Sequence, residues 1–202
     1  MKRILIFILI LLVSGCTVVR IDTTNIDTII DVVLSKDNNL YNRVGSGYKY
    51  YIPRGVSYID TDELNDKLYS NGSYYYLYVD VIGYTNGVEV EYAKNKDAYY
   101  SRVISKVDGF DSTGYIEIIK EEDDLYRIMF SYNYARIETI VEEENINLAV
   151  LNSAYILSTI QFNTDVIDLM LDDDYFTNKE EKYEVFSKNE DSGDNFELKY
   201  NN

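Results

Sequence analysis

Ser73-Tyr74-Tyr75-Tyr76-Leu77-Tyr78-Val79-Asp80-Val81-Ile82-Gly83-Tyr84 is the stretch that decides the fold. Its side chains alternate with the period of two that a β-strand imposes, and its Tyr and Val content suits a pleated surface. Tyr75, Leu77, Val79 and Val81 form one face, read as core; Tyr74, Tyr76, Tyr78, Asp80 and Ile82 form the other. Asn71-Gly72 just before it is the dipeptide of a tight hairpin, which pairs this strand with Lys67 to Ser70. Thr85-Asn86-Gly87 after it predicts a second reversal into a strand over Val88 to Tyr92. Adjacent strands joined by such turns are antiparallel.

Working outward, Gly114 to Lys120 and Leu125 to Val141 form a further hairpin across the acidic turn Glu121-Glu122-Asp123-Asp124, with a bulge expected near Ser131. From Asn147 to Phe162 the period becomes helical, with Leu148, Leu151, Ala154, Tyr155, Leu157 and Ile160 as the expected buried stripe. Val166 to Leu171 reads as a short helix or strand. Toward the N-terminus, Asp22 to Tyr41 predicts a tether and a short helix in which Ile26, Ile29, Ile30, Val33 and Leu34 share a face, with Thr23, Thr24 or Asn25 as N-cap. Gly45-Ser46-Gly47 then opens a strand from Tyr48 to Ile52, and Pro53-Arg54-Gly55 is a turn. The order helix, antiparallel strands, helix defines an α+β class: a mainly antiparallel sheet packed against an N-terminal and a C-terminal helix.

The organisation expected is a signal segment over 1–15, a lipidated tether and short helix over 16–44, an α+β domain over 45–171, and an acidic, loosely ordered tail over 172–202. Lys2 and Arg3, an apolar run from Ile4 to Val13, then Ser14 and Gly15 have the layout of a secretory signal and are too short for a helix that spans a bilayer. Cys16 is the one cysteine. Leu12-Val13-Ser14-Gly15-Cys16 resembles the lipobox of bacterial lipoproteins. That resemblance implies cleavage between Gly15 and Cys16, a diacylglycerol thioether on Cys16, and residence on the extracytoplasmic face of the cell membrane. Two acyl chains hold a protein at a membrane where one binds marginally.

Composition narrows the chemistry. The net charge of -16 opposes binding to nucleic acid. With no histidine and the only thiol assigned to lipid, the Ser-His-Asp, Cys-His and imidazole-zinc arrangements are excluded. Tyrosine stands out, 22 against 7 Phe and no Trp. It reads either as a binding surface of rigid amphipathic rings or as the codon bias of a low-GC genome. Acidic clusters at Asp60, Asp62 and Glu63, at Glu121 to Asp124, at Glu142 to Glu144 and at Asp172 to Asp174 lack the spacing of a calcium loop. They read as solvated loops, and neither a metal nor another cofactor is expected.

The most site-like stretch is Tyr132-Asn133-Tyr134-Ala135-Arg136-Ile137-Glu138. On a continuous strand, Tyr132, Tyr134, Arg136 and Glu138 would share a face and present rings beside a charged pair, as a sugar or peptide carboxylate site requires; the same row would equally serve as a cross-strand salt bridge in a tyrosine ladder. Gly47-Tyr48-Lys49-Tyr50-Tyr51-Ile52-Pro53-Arg54-Gly55 resembles the opening strand and turn of PsbP-like and DcrB-like domains, and Ile156-Leu157-Ser158-Thr159-Ile160-Gln161-Phe162 resembles their last helix. This likeness implies an α/β sandwich and an extracytoplasmic accessory role. The function expected is thus a membrane-anchored, noncatalytic binding module whose partner is a protein, a wall component or a small solute. The alternatives are a carboxylate-dependent enzyme acting on cell-wall or glycan substrates, or the solute-binding component of a transporter.

Overall fold

A computed structural model describes residues 23–88, 90–105 and 112–172. The signal segment, Cys16 and the tail beyond Asp172 lie outside the described residues. Helix α1 (Ile26–Leu34) begins where Asn25 Oδ1 accepts the Thr28 amide, and it buries Ile29, Ile30, Val33 and Leu34 on the predicted face. Two short strands follow, β1 (Arg43–Val44) and β2 (Tyr48–Tyr50), then β3 (Ser57–Asp62), β4 (Asn65–Ser70) and β5 (Ser73–Val79). Next come helix α2 (Val81–Asn86), strands β6 (Tyr100–Ile104), β7 (Gly114–Lys120), β8 (Leu125–Tyr132) and β9 (Ala135–Glu142), helix α3 (Ile146–Ser158), strand β10 (Gln161–Phe162) and helix α4 (Thr164–Asp172).

The strands form a seven-stranded sheet in the order β3-β4-β5-β9-β8-β7-β6 and a three-stranded sheet in the order β1-β2-β10, both antiparallel throughout. Helix α3 lies on β8 and β9 and against α1. Leu68, Tyr75, Leu77, Ile116, Ile118, Ile128, Phe130 and Ile137 line the covered face of the large sheet, where they meet the helices in one core that also takes in Tyr48 and Tyr50 of the small sheet. The α+β class and its helix-on-sheet arrangement stand as the sequence predicts. On β6, Arg102 pairs with Asp27 and Asp31, and the Tyr100 hydroxyl donates to Asp27, so the outer turn of α1 is clamped to the far edge of the sheet.

Three local expectations are corrected. The strand from Ser73 stops at Val79, because Asp80 Oδ1 accepts the Gly83 amide at 2.7 Å and caps α2. Gly87, at φ 64°, closes that helix as a left-handed C-cap, so the glycine that signals a hairpin ends a helix instead and no strand forms at Val88 or over Val90 to Tyr92. Leu125 to Val141 is two strands, and the β8 to β9 register runs unbroken from Leu125 opposite Glu142 to Tyr132 opposite Ala135, with no bulge at Ser131. The reversal is made by Asn133 and Tyr134, at φ 53° and 56°. A tyrosine in that conformation is no turn signal; it is held there by tertiary bonds, as Asp80 N–H donates to the Tyr134 carbonyl at 2.8 Å and Asn133 Nδ2 to the Ile160 carbonyl at 2.9 Å.

The third correction concerns α3. It is covered on most sides because it lies between the sheet and α1, so Ile146, Ala149, Val150, Asn152, Ser153, Ala154, Ile156 and Leu157 are buried while Leu148 is exposed and Leu151 and Tyr155 are half-buried. A single amphipathic stripe therefore misplaces it. The turn at Pro53-Arg54-Gly55 and the hairpin at Asn71-Gly72 form as predicted, the latter with both residues at positive φ.

Candidate functional site

A cleft of about 630 Å³ opens between the small sheet and α4. Three residues in register across that sheet, Val44, Lys49 and Gln161, contribute one wall. Asp165, Val166 and Met170 of α4 contribute the other. The two are fastened by the chain reversal at Gly45-Ser46-Gly47, whose Gly47 carbonyl accepts the Asn163 amide at 2.8 Å just before α4 begins. Gly47 sits at φ 82°, and a Cβ there would stand 2.8 Å from Ile167 Cγ1, so only glycine lets helix and hairpin approach this closely.

Lys49 holds its ammonium 4.2 Å from the centre of the Tyr41 ring, and neither it nor Asp165 forms an ion pair among the described residues. The apolar part of the lining is Val44, Tyr48, Phe162, Val166 and Met170. Phe162 is backed by aromatic rings: it stacks on Tyr84 at 4.0 Å, and Tyr134 meets both edge-on. A cleft of this size with an apolar lining and a few polar groups has the dimensions of a small-molecule site.

The four residues singled out from sequence are dispersed by the turn at Asn133-Tyr134. Tyr132 is buried in the core, Tyr134 stands behind the cleft wall, and Arg136 and Glu138 lie on the opposite face of the large sheet. There Arg136 Nε pairs with Glu138 Oε1 at 3.0 Å, and the Arg136 guanidinium lies 5.2 Å from the Tyr78 ring centre. Glu138 is 1% exposed, and its Oε2 has no hydrogen-bond partner among the described residues. Burial pushes its carboxyl above the ordinary carboxylate range, against the pull of Arg136 and Arg127.

A testable consequence concerns pH. A carboxyl whose folded pKa exceeds its unfolded one stabilises the fold at acid pH, and that contribution is lost as pH rises through the folded value. Glu138→Gln is thus expected to gain stability relative to wild type between pH 4 and pH 7, as urea midpoints across that range will read. A stability difference between the two that stays flat over the range would contradict the burial-raised carboxyl.

Glu117 lies in the same cross-strand row as Glu138, two strands away, with Met129 between them and Tyr92 donating to Glu117 Oε2 at 2.7 Å. Tyr92 also stacks on Tyr115 at 4.1 Å, carrying the connection after α2 over this face. At the hairpin ends, pairing of Leu125 with Glu142 brings two acidic runs together, so that Asp123, Asp124, Glu142, Glu143 and Glu144 line an open acidic hollow. Among the described residues no three acids, histidines or cysteines are placed to hold a metal ion.

Sequence reading passed over the cleft. Its glycines were visible as a break, but the contact between Gly47 and Asn163 joins segments far apart in the chain. No family model matches the chain, and no curated protein matches it in sequence.

Proposed function

We propose that the chain is an extracytoplasmic lipoprotein, held at the cell membrane by lipid on Cys16, whose α+β domain is a noncatalytic binding module with the cleft between the small sheet and α4 as its site. The observation that carries this reading is the sequence Leu12-Val13-Ser14-Gly15-Cys16 at the end of an apolar run. The start of the fold supports it, since Asn25 caps the first helix and the chain between Cys16 and that cap reaches at most roughly 30 Å when extended. The domain therefore sits close to the bilayer surface, and the lipid supplies the attachment that an acidic surface does not. The resemblance to PsbP-like and DcrB-like domains points the same way, to an accessory role.

The test is lipid labelling with fractionation. Cys16→Ala is expected to abolish incorporation of labelled palmitate completely, and to leave the chain released from membranes or as an unprocessed precursor. Labelling that survives the substitution would overturn the anchor.

A further inference from the structure

The stretch from Lys36 to Arg54 carries four cations, Lys36, Arg43, Lys49 and Arg54, against the single acid Asp37, in a chain whose net charge is -16. Much of it folds into one hairpin: the Asn42 side chain bonds both the amide and the carbonyl of Ile52, Arg43 lies opposite Tyr50, and Val44 lies opposite Lys49. Tyr48 and Tyr50 turn inward to the core, so the alternation of a strand sends Val44 and Lys49 outward. Leu40, Tyr41 and Val44 are each more than half exposed, and the Tyr41 ring lies against the Lys49 ammonium. Arg43 is engaged by the Asp66 carboxylate, whereas Lys36, Lys49 and Arg54 form no ion pair among the described residues. Exposed aliphatic side chains, a tyrosine and unpaired cations together match the interface of an anionic bilayer, where apolar groups enter the headgroup boundary, tyrosine rings sit at headgroup level and Lys and Arg meet the phosphates. We propose that the outward face of the β1–β2 hairpin, with Leu40 and Tyr41 before it, lies against the anionic bilayer in which Cys16 is anchored and so fixes the orientation of the domain. The proposal rests on the lipoprotein reading and goes beyond it, since a lipid at the end of a tether sets distance but not orientation.

The acidity of the whole chain does not oppose this contact. Salt screens charge over about 8 Å at physiological ionic strength, so the residues that face the bilayer decide the sign of the interaction. Each cation held near an anionic surface favours the contact about fivefold, and the three unpaired ones together about a hundredfold. The tether permits the geometry: α1 has nine residues and is about 14 Å long, while the chain from Cys16 to Asn25 reaches roughly 30 Å, past the end of the helix from which Lys36 and Leu40 follow. The competing face is the β6 edge, where Tyr99 and Val103 are exposed. There Arg102 is taken by Asp27 and Asp31, and Lys94 and Lys96 are offset by Glu91 and Asp97, so that edge offers no surplus of positive charge. Val44 and Lys49 also line the cleft, whose mouth therefore opens at the membrane surface. Asp165 on the opposite wall marks where the basic face ends.

The experiment places the full lipidated chain in vesicles of equal parts phosphatidylglycerol and phosphatidylcholine. With lipid on Cys16, the thiol introduced by Leu40→Cys, Val103→Cys or Tyr74→Cys is the only free one and takes a single nitrobenzoxadiazole label, whose quenching by acrylamide reads its exposure to water. The label at Leu40 is expected to be several-fold less quenched than those at Val103 on β6 and Tyr74 on the outer face of β5. Lys36→Gln, Lys49→Gln and Arg54→Gln should each reduce the ratio of face-down to other orientations about fivefold, and about 1 M salt or vesicles of phosphatidylcholine alone should abolish most of the protection, while flotation with the vesicles is unchanged because the lipid remains. Equal quenching at the three sites, or protection at Val103 in place of Leu40, would overturn the proposal. Protection at Leu40 that ignores lipid charge and grows with the ratio of chain to lipid would overturn it as well and assign the face to a second copy of the chain. Label taken up by the chain without an introduced cysteine would show that Cys16 carries no lipid and overturn the anchor together with this orientation, so the two failures are read apart.

Discussion

Leu77→Ala is expected to lower the stability of the domain by about 2 to 5 kcal/mol, whereas Tyr74→Ala, three residues away on the same strand, should change it by less than about 1 kcal/mol. Leu77 is 0% exposed, and in register it lies between Asp66 on β4 and Ile137 on β9 at the centre of the covered face. Truncation there removes buried methyl groups and leaves a cavity that surrounding strands cannot collapse to fill. Tyr74 is 45% exposed, on the other face, where its ring meets Tyr69 at the margin. Tyr78 shares that outer face but is only 8% exposed beneath Arg136, so Tyr78→Ala belongs with Leu77→Ala in cost rather than with Tyr74→Ala. Urea unfolding at constant slope reads all three. Equal midpoints for Leu77→Ala and Tyr74→Ala would mean that the faces of β5 are assigned wrongly.

The same strand shows what was legible in the sequence. Alternation of Tyr75, Leu77 and Val79 with polar and aromatic neighbours is a local property, and the sheet places it as that pattern requires. Asn71-Gly72 and the helical spacing of Ile26, Ile29, Ile30, Val33 and Leu34 are equally local, and both hold. The reading failed where a local signal has two structural outcomes. Gly87 in the left-handed region ends a hairpin strand or a helix alike, and the choice was made by the Asp80 carboxylate reaching the Gly83 amide. It failed again where tertiary contacts overrule propensity: Tyr134 adopts φ 56° because Asp80 holds its carbonyl and the Tyr84 and Phe162 rings pack around it. That single turn separates Tyr132 and Tyr134 from Arg136 and Glu138 and dissolves the row that looked most like a site. The cleft stayed hidden for a related reason, since Lys49 and Asp165 are ordinary charged residues in sequence and acquire a common surroundings only when β2 and α4 are fastened together.

Asp66→Ala is expected to be at least as damaging as Leu77→Ala, at about 3 to 5 kcal/mol, because it strips the acceptor from a buried polar knot rather than removing apolar volume. Asp66, on β4, is 1% exposed and accepts hydrogen bonds from the Tyr50 hydroxyl of β2 and the Thr61 hydroxyl of β3. Arg43 of β1 brings Nε to 3.6 Å from the same carboxylate, lays its guanidinium 3.6 Å from the Tyr58 ring centre and donates to the Thr61 oxygen at 2.9 Å. One carboxylate thus bolts the small sheet to the edge of the large one. Burial foremost, then the charge of Asp66 and the bond it accepts, hold the Tyr50 phenol protonated well beyond the ordinary tyrosine range. Asp66→Asn keeps the shape but turns an amide donor toward groups that already donate, so its cost should fall between wild type and alanine. Tyr50→Phe alone should cost about 1.5 to 3 kcal/mol, as for a hydrogen bond to a charged group, and much less in the Asp66→Ala background, where its acceptor is already gone. Strictly additive losses in the Tyr50 and Asp66 cycle would show that the two side chains are not coupled.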